Sequence, residues 1–270
     1  MFDNNPGLIQ PPIPGKTPTT VTPLILIHDG GGTTYSYFLL GDLGRPVYGI
    51  SNPRYESGQP WEGGMPEMAE LYIQLIRNIL PQGGPIILGG WSQGGLLSLE
   101  VAGQLAAGKG ALTDSPAIEV QGIIMIDSVY TKPPPDAPPI VQHTTEWSEL
   151  TKPETRQAVN RCFAEATRLA KMWEHPTWGT ESTASGPPPV ILLRSREAVP
   201  VPPGGVSRVD LYRSDRFLGW ENYRKGMIVR VIDIPGHHYN VFALDHIRAV
   251  TREVKAGCTE IQTLATTSTS

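Results

Sequence analysis

Short apolar runs closed by glycine or proline recur along the chain and alternate with longer segments whose apolar residues fall three or four positions apart. Pro23-Leu-Ile-Leu-Ile27, ending in His28-Asp-Gly-Gly-Gly32, has the pattern of a strand buried on both faces and closed by a tight glycine loop. Pro46 to Ile50 repeats it as a neighbour. From Pro66 to Leu80, Met68, Leu71, Tyr72, Leu75, Ile76 and Ile79 keep helical spacing, and Pro66 suits a first turn. Pro85 to Trp91 is a further strand and Gly94 to Ala107, rich in Ala and Leu, a helix, so Ser92 falls in the sharp turn between them. Gly122–Ile126, Pro189–Leu193 and Met227–Ile232 supply more strands, and Asn240 to Glu253 a closing helix. Strands alternating with helices predict an α/β fold, a mostly parallel central sheet joined by right-handed crossovers with helices on both faces.

Two stretches break this rhythm. Residues 1–22, rich in Pro, Thr and Asn without periodicity, have the composition of an extended leader or interdomain linker, with one folded domain over 23–270. A Pro-rich segment of this kind favours an excised terminal domain over a freestanding enzyme. Between about 130 and 186 a proline cluster is followed by Val159, Phe163, Ala166, Leu169, Ala170 and Trp173 at helical spacing, which predicts a helical lid inserted between two sheet strands.

Composition narrows the partners. Hydrophobic residues make up 39% and charged residues 18% of 270, a globular balance, and a net charge of −4 offers no strong field for nucleic acid or an anionic membrane. No apolar run reaches a membrane span, and the N-terminus lacks the charged start and apolar stretch of an export signal. Cys162 and Cys258 lie far apart, outside any metal-ligand spacing, so neither a disulfide framework nor a metal site is expected and a cytoplasmic location is.

The chemistry centres on Gly90-Trp-Ser-Gln-Gly94, the G-x-S-x-G pattern in which a serine sits on a strained turn. Glycine is so common here that the pattern alone carries little weight; the strand before it and the helix after it supply the specificity. A serine hydroxyl needs a neighbouring base. Of the six histidines, His237 and His238 stand in the loop after the last strand, while His28, His143, His175 and His246 suit structural roles. For the carboxylate that orients the base, Asp127 and Glu197 compete, each following a strand. The amides of His28-Asp-Gly-Gly-Gly32, with that of Gln93, suit an oxyanion hole; a phosphate loop lacks its lysine and spacing here. Tyr35, Tyr37, Tyr130, Trp147 and Trp173 are candidates for an aromatic channel.

These residues resemble the thioesterase domains that release products from polyketide synthases, nonribosomal peptide synthetases and the fungal synthetases similar to the latter, members of the α/β-hydrolase superfamily. The likeness rests on Ile27-His-Asp-Gly-Gly-Gly-Thr-Thr34, Gly89-Gly-Trp-Ser-Gln-Gly-Gly95 with Leu99-Glu-Val-Ala102, Ile126-Asp-Ser128, Leu218-Gly-Trp-Glu221 and Gly236-His-His-Tyr-Asn240. Leu218-Gly-Trp-Glu221 is most like the fungal synthetases that join two aryl keto-acid units. The resemblance implies Ser92 as nucleophile, His238 as base, Asp127 rather than Glu197 as acid, and the amides of Gly30 and Gln93 as the oxyanion hole, with Asp29 the alternative to Gly30. It also implies an acyl chain delivered on the phosphopantetheine arm of an acyl or peptidyl carrier protein, no cofactor of the enzyme's own, and release by hydrolysis, cyclisation or Claisen-type condensation in secondary metabolism. The competing expectation is a carboxylesterase or lipase acting on simple oxygen esters.

Overall fold

The computed structural model describes residues 4–18, 20–108, 116–142, 145, 147–178 and 186–268. In chain order its elements are β1 (Gly7–Gln10), β2 (Leu24–Ile27), β3 (Val47–Ile50), α1 (Gly64–Ile79), β4 (Gly84–Trp91), α2 (Gln93–Ala106), β5 (Ile118–Ile126), β6 (Ile140–Val141), α3 (Pro153–Met172), β7 (Val190–Ser195), β8 (Val206–Ser207), β9 (Ile228–Ile234) and α4 (Leu244–Ser268). Seven strands form one sheet in the order β1-β3-β2-β4-β5-β7-β9, parallel except for β1, and β6 pairs with β8 apart from it.

Strand alternation divides the core into two layers. Ile25, Ile27, Leu88, Ile123, Met125 and Leu192 face α1 and α2, whereas Leu24, Leu26, Ile87, Ile124, Ile126, Ile191 and Leu193 face α4. Both faces of the sheet are therefore covered, which is why its strands are continuously apolar rather than alternating. Helix α1 buries Met65, Met68, Ala69, Tyr72, Ile73 and Ile76, a stripe at helical spacing. Register brings the strand ends level: Ile27 lies beside Gly90, Trp91 beside Ile126, and Ile126 beside Leu193. The loops leaving these carboxyl ends thus open on one edge of the sheet, where α/β folds bind their ligands.

Three segments differ from the sequence expectation. Part of the stretch read as an extended leader is sheet, because β1 pairs antiparallel with β3, Gly7 opposite Gly49 and Leu8 opposite Tyr48. A four-residue edge strand between prolines has no periodicity of its own. The closing helix starts at Leu244 rather than Asn240 and runs to Ser268, well past Glu253. Its continuation is held by Cys258 and Ile261, packed under β4, β5 and β7, which overrides the poor helix propensity of its Gly and Thr residues. The insertion is only partly helical: α3 occupies its centre, and His143 and residues 179–185 lie outside the described residues.

The edge made by β1 is stitched by side chains that mimic backbone. Asn5 Nδ2 donates to Ser51 O at 2.8 Å and Ser51 N to Asn5 Oδ1 at 3.1 Å. Asn5→Ala strands both backbone groups of buried Ser51, so the denaturant midpoint should fall by an equivalent of about 1–2 kcal/mol. An unchanged midpoint would mean that this edge adds nothing to stability.

Candidate active site

Ser92 sits between β4 and α2 with φ 55° and ψ −115°, a left-handed backbone that non-glycine residues rarely adopt. Close packing enforces it. A Cβ on Gly90 would stand 2.6 Å from Ile27 O, one on Gly94 2.2 Å from the same oxygen, and one on Gly95 2.1 Å from Ser128 Oγ. The turn is pinned from below: Ser92 N donates to Ile126 O at 2.9 Å, and Ser128 Oγ donates to Ser92 O at 2.7 Å. Trp220 Nε1 donates in turn to Ser128 O at 2.8 Å, so the Leu218-Gly-Trp-Glu221 segment buttresses the serine turn.

His238, 2% exposed, stands with Nε2 3.0 Å from Ser92 Oγ and Nδ1 2.9 Å from Asp127 Oδ2. Asp127 is fully buried, with φ 49°, and its Oδ1 accepts the Ser195 amide at 2.8 Å. Arg213, which no sequence pattern singles out, reaches Asp127 Oδ1 through Nη1 at 2.7 Å and Asp127 Oδ2 through Nη2 at 2.8 Å. Burial alone would raise the Asp127 carboxyl, but hydrogen bonds and charge from His238 and Arg213 outweigh it and hold the group well below the usual carboxylate range. Glu197, the rival acid, is exposed, and its backbone amide donates to Gly236 O at 3.0 Å.

The remaining candidates separate cleanly. Among the loop amides, Gly31 N is taken by Asp29 Oδ1 at 2.8 Å and Gly32 N by Asp29 O at 3.1 Å, whereas no described hydrogen bond engages the amides of Asp29 or Gly30. Gln93 begins α2, where the first amides have no partner within the helix. His28 is buried with Nε2 2.6 Å from Tyr72 Oη, and burial pushes it down to about 4, a neutral packing histidine. His175 stacks on Tyr130 and Tyr223, and His237 faces its own turn, its Nδ1 accepting from Tyr239 N at 3.3 Å. His246 packs on Gly236. Two candidates for an aromatic channel are structural instead: Tyr37 Oη bridges Ile27 O and Trp91 N at 2.7 and 2.8 Å, and Trp173 Nε1 donates to the buried Glu100 at 2.8 Å.

Helix α3 lies directly over the glycine loop. A Cβ on Gly30 would meet Phe163 at 3.2 Å, and one on Gly32 would meet Cys162 Sγ at 2.9 Å. Glu165 Oε1 accepts Trp61 N at 2.8 Å while Arg168, paired to Glu165, donates to Trp61 O at 2.8 Å, a clasp between α3 and the loop before α1. Beneath it, His28, Gly30, Trp61, Gln93, Cys162 and Glu165 help line a cavity of about 10 Å³, roughly the space of one water. No group of His, Cys, Asp and Glu among the described residues could hold a metal, and none of their helices is long and apolar enough to cross a membrane.

The thioesterase domain family matches residues 22–173. Thioesterase frbE of Dothideomycetidae sp. (strain 11243) is 37% identical over 94% of this chain and 95% of its own length. Probable thioesterase gloN of Glarea lozoyensis is 32% identical over 96% of this chain and 99% of its own. Nonribosomal peptide synthetase imqB of Aspergillus flavus is 33% identical over 97% of this chain, which spans 8% of that protein. Among solved structures, the covalent complex of the NocB thioesterase domain with a fluorophosphonate nocardicin G analog has a TM-score of 0.62 at 23% identity, covering 88% of this chain and 96% of that one, a likeness of fold.

Asp29 carries the other perturbed acid of the site. Burial pushes its carboxyl up to about 6, against the opposing pull of the Gly31 amide and of His238. The native state then keeps a proton that the unfolded chain, with the ordinary value near 3.8, has already lost, so stability falls as pH rises from about 4 to about 6. Asp29→Asn should accordingly be more stable than the parent at pH 7, by on the order of 1 kcal/mol, and equal to it at pH 4. Urea midpoints at the two pH values measure this; a variant less stable at pH 7 would contradict it.

Proposed function

The chain belongs to the thioesterase domain family, and on that premise we propose that it releases an acyl group from the phosphopantetheine thioester of a carrier protein through an ester on Ser92. The single observation that carries the reading is the unbroken hydrogen-bond line Ser92 Oγ, His238, Asp127 at 3.0 and 2.9 Å, mounted on a left-handed turn. Ser92 Oγ attacks the thioester carbon as His238 Nε2 takes its proton. Asp127 holds the Nδ1 proton and so fixes the tautomer that leaves Nε2 free to accept. The amides of Gln93 and Gly30 receive the negative charge that develops on the carbonyl oxygen, donors already aimed before the charge appears. When the C–S bond breaks, the thiol leaves with the proton from His238, and the acyl group stays on Ser92. Attack by water, its proton passing to His238, then frees the acid and restores the serine.

Water is the acceptor that needs no further group in the site, so hydrolysis is the release mode we assign, with the insertion around α3 as a lid. The carrier partner is supported by the match to a segment of a nonribosomal peptide synthetase, which ties the proposed role to secondary metabolism. No cofactor enters this chemistry. Cys162 and Cys258, both free and buried, suit work in the cytoplasm.

Incubation with an octanoyl carrier protein should add an octanoyl mass to the intact wild-type enzyme, with none on Ser92→Ala, and free octanoic acid should accumulate. A mass increase that survives Ser92→Ala would refute the nucleophile; rapid turnover of simple oxygen esters with indifference to the carrier would make the enzyme a carboxylesterase. For the acid, Asp127→Asn should lower kcat by about 10³–10⁴-fold, as a wrong tautomer does in a serine protease, while Glu197→Gln stays within about threefold. The reverse ranking would move the role to Glu197.

A further inference from the structure

Asp127 is held by more than His238 and one amide. Its four acceptor directions are all used: Oδ1 takes Ser195 N at 2.8 Å and Arg213 Nη1 at 2.7 Å, and Oδ2 takes His238 Nδ1 at 2.9 Å and Arg213 Nη2 at 2.8 Å. The guanidinium is itself anchored. Arg213 Nε donates to Asp210 Oδ1 at 2.8 Å, Nη1 also to Ser195 O at 2.9 Å, and Nη2 also to Val209 O at 3.2 Å. Asp210 is buried and its other oxygen accepts Val199 N at 2.7 Å. Two carboxylates and one guanidinium therefore form an interior cluster that His238 touches at one end.

From this we propose that Arg213 is a positioning residue of the hydrolytic machinery, its fork fixing Asp127 in the plane that meets His238, and that Asp210 is the counter-charge that keeps the cluster negative toward the imidazole. The inference rests on the assignment of Ser92, Asp127 and His238 made above. Arg213 alone would neutralise Asp127 and weaken its support for the imidazolium that forms when Ser92 gives up its proton. With Asp210 the cluster holds two negative charges and one positive, and the carboxylate facing His238 stays uncompensated. The other groups around His238 are Ser92 Oγ, the rings of Trp91 and Tyr239, and the Asp29 carboxyl, none of which changes in the variants below.

The charge arithmetic gives opposite signs for two substitutions, which a merely structural brace does not. In Arg213→Met the cation is gone, so the imidazolium is better stabilised and buried Asp127 is itself easier to protonate; both move the acidic limb of the pH–rate profile to higher pH. In Asp210→Asn the cluster becomes neutral, the imidazolium loses support, and the limb moves to lower pH. Shifts of about 0.5–1 pH unit are expected in each direction. Arg213→Lys keeps the charge without the fork, so its limb stays with wild type while kcat falls by roughly 3–10-fold; Arg213→Met should lose about 10–100-fold in kcat, part of what a positioned base contributes.

The experiment is kcat and kcat/KM for an octanoyl N-acetylcysteamine thioester from pH 5 to 9, with circular dichroism melts of every variant and Ser92→Ala as control. Opposite limb shifts in Arg213→Met and Asp210→Asn support the proposal. Limbs that stay put, or move together, overturn it even if kcat drops. Should Arg213→Met fail to fold, a downward shift in Asp210→Asn with a wild-type limb in Arg213→Lys still supports it, and any other pair of results overturns it. Turnover that persists in Ser92→Ala would instead defeat the nucleophile assignment, a distinct failure.

Discussion

The backbone of Ser92 is the constraint from which the rest of the site follows. A residue at φ 55°, ψ −115° costs on the order of 1–3 kcal/mol and persists only where the surroundings over-determine it. Here the surroundings are β2, β5 and the first turn of α2, pressed together so tightly that Gly90, Gly94 and Gly95 have no room for a Cβ. The same compression turns the serine hydroxyl out at the strand end, beside the amide of Gln93. Among the described residues the other non-glycine positions with positive φ are Asp127 and Leu218. All three belong to one assembly, because Leu218 O accepts the Tyr130 amide at 3.0 Å and Trp220, two residues on, holds Ser128 under the serine turn. Strain is concentrated where side chains have to be aimed.

The aim is completed by a cover. Helix α3 rests on Gly30 and Gly32 through Phe163 and Cys162 and is clasped to Trp61 by Glu165 and Arg168. The ion pair of the clasp is a modest contribution, since Arg168 and Glu165 are partly exposed and a pair of that kind adds little to stability. By contrast the far end of the insertion is fastened firmly, through the stacked Tyr130, His175 and Tyr223 and the bond from Trp173 to Glu100. Along its length Ala158, Cys162 and Leu169 are buried, so α3 is packed onto the glycine loop as well as tethered at its end.

Much of this was legible in the sequence for a physical reason: parallel strands buried on both faces write continuous apolar runs, and a serine turn between strand and helix writes its glycines. That is enough to locate β2, β4, β5 and β7, the turn that carries Ser92, and the loops that carry Asp127 and His238. What stayed hidden depends on contacts between distant segments. The strand Gly7–Gln10 owes its existence to β3, and the last turns of α4 to the pocket that receives Ile261. Choosing Asp127 over Glu197 needed a family resemblance, because both carboxylates follow strands and only the fold turns one inward. Arg213 left no trace, since an Asp and an Arg three positions apart in a polar loop look like any exposed ion pair.

That ion pair is buried, and the burial is itself informative. Taking Asp127, Asp210 and Arg213 out of water costs several kcal/mol per charge after relaxation, and a well-packed apolar trio of the same volume would commonly be as stable or more so. The cluster is thus a poor way to hold a loop to a sheet and a good way to hold a charge in one place. Its geometry agrees: every oxygen of Asp127 is engaged, and the guanidinium touches both acids edge-on through its planar fork, an arrangement that fixes orientation as well as charge. The excursion from Val206 to Asn222, which carries Asp210, Arg213 and Trp220, therefore reaches the site from two sides, under Ser92 through Ser128 and behind His238 through Asp127. Leu218-Gly-Trp-Glu221, the segment most like that of the fungal synthetases, serves in this fold to tie the Ser92 turn to the strand end that carries Asp127 and Ser128.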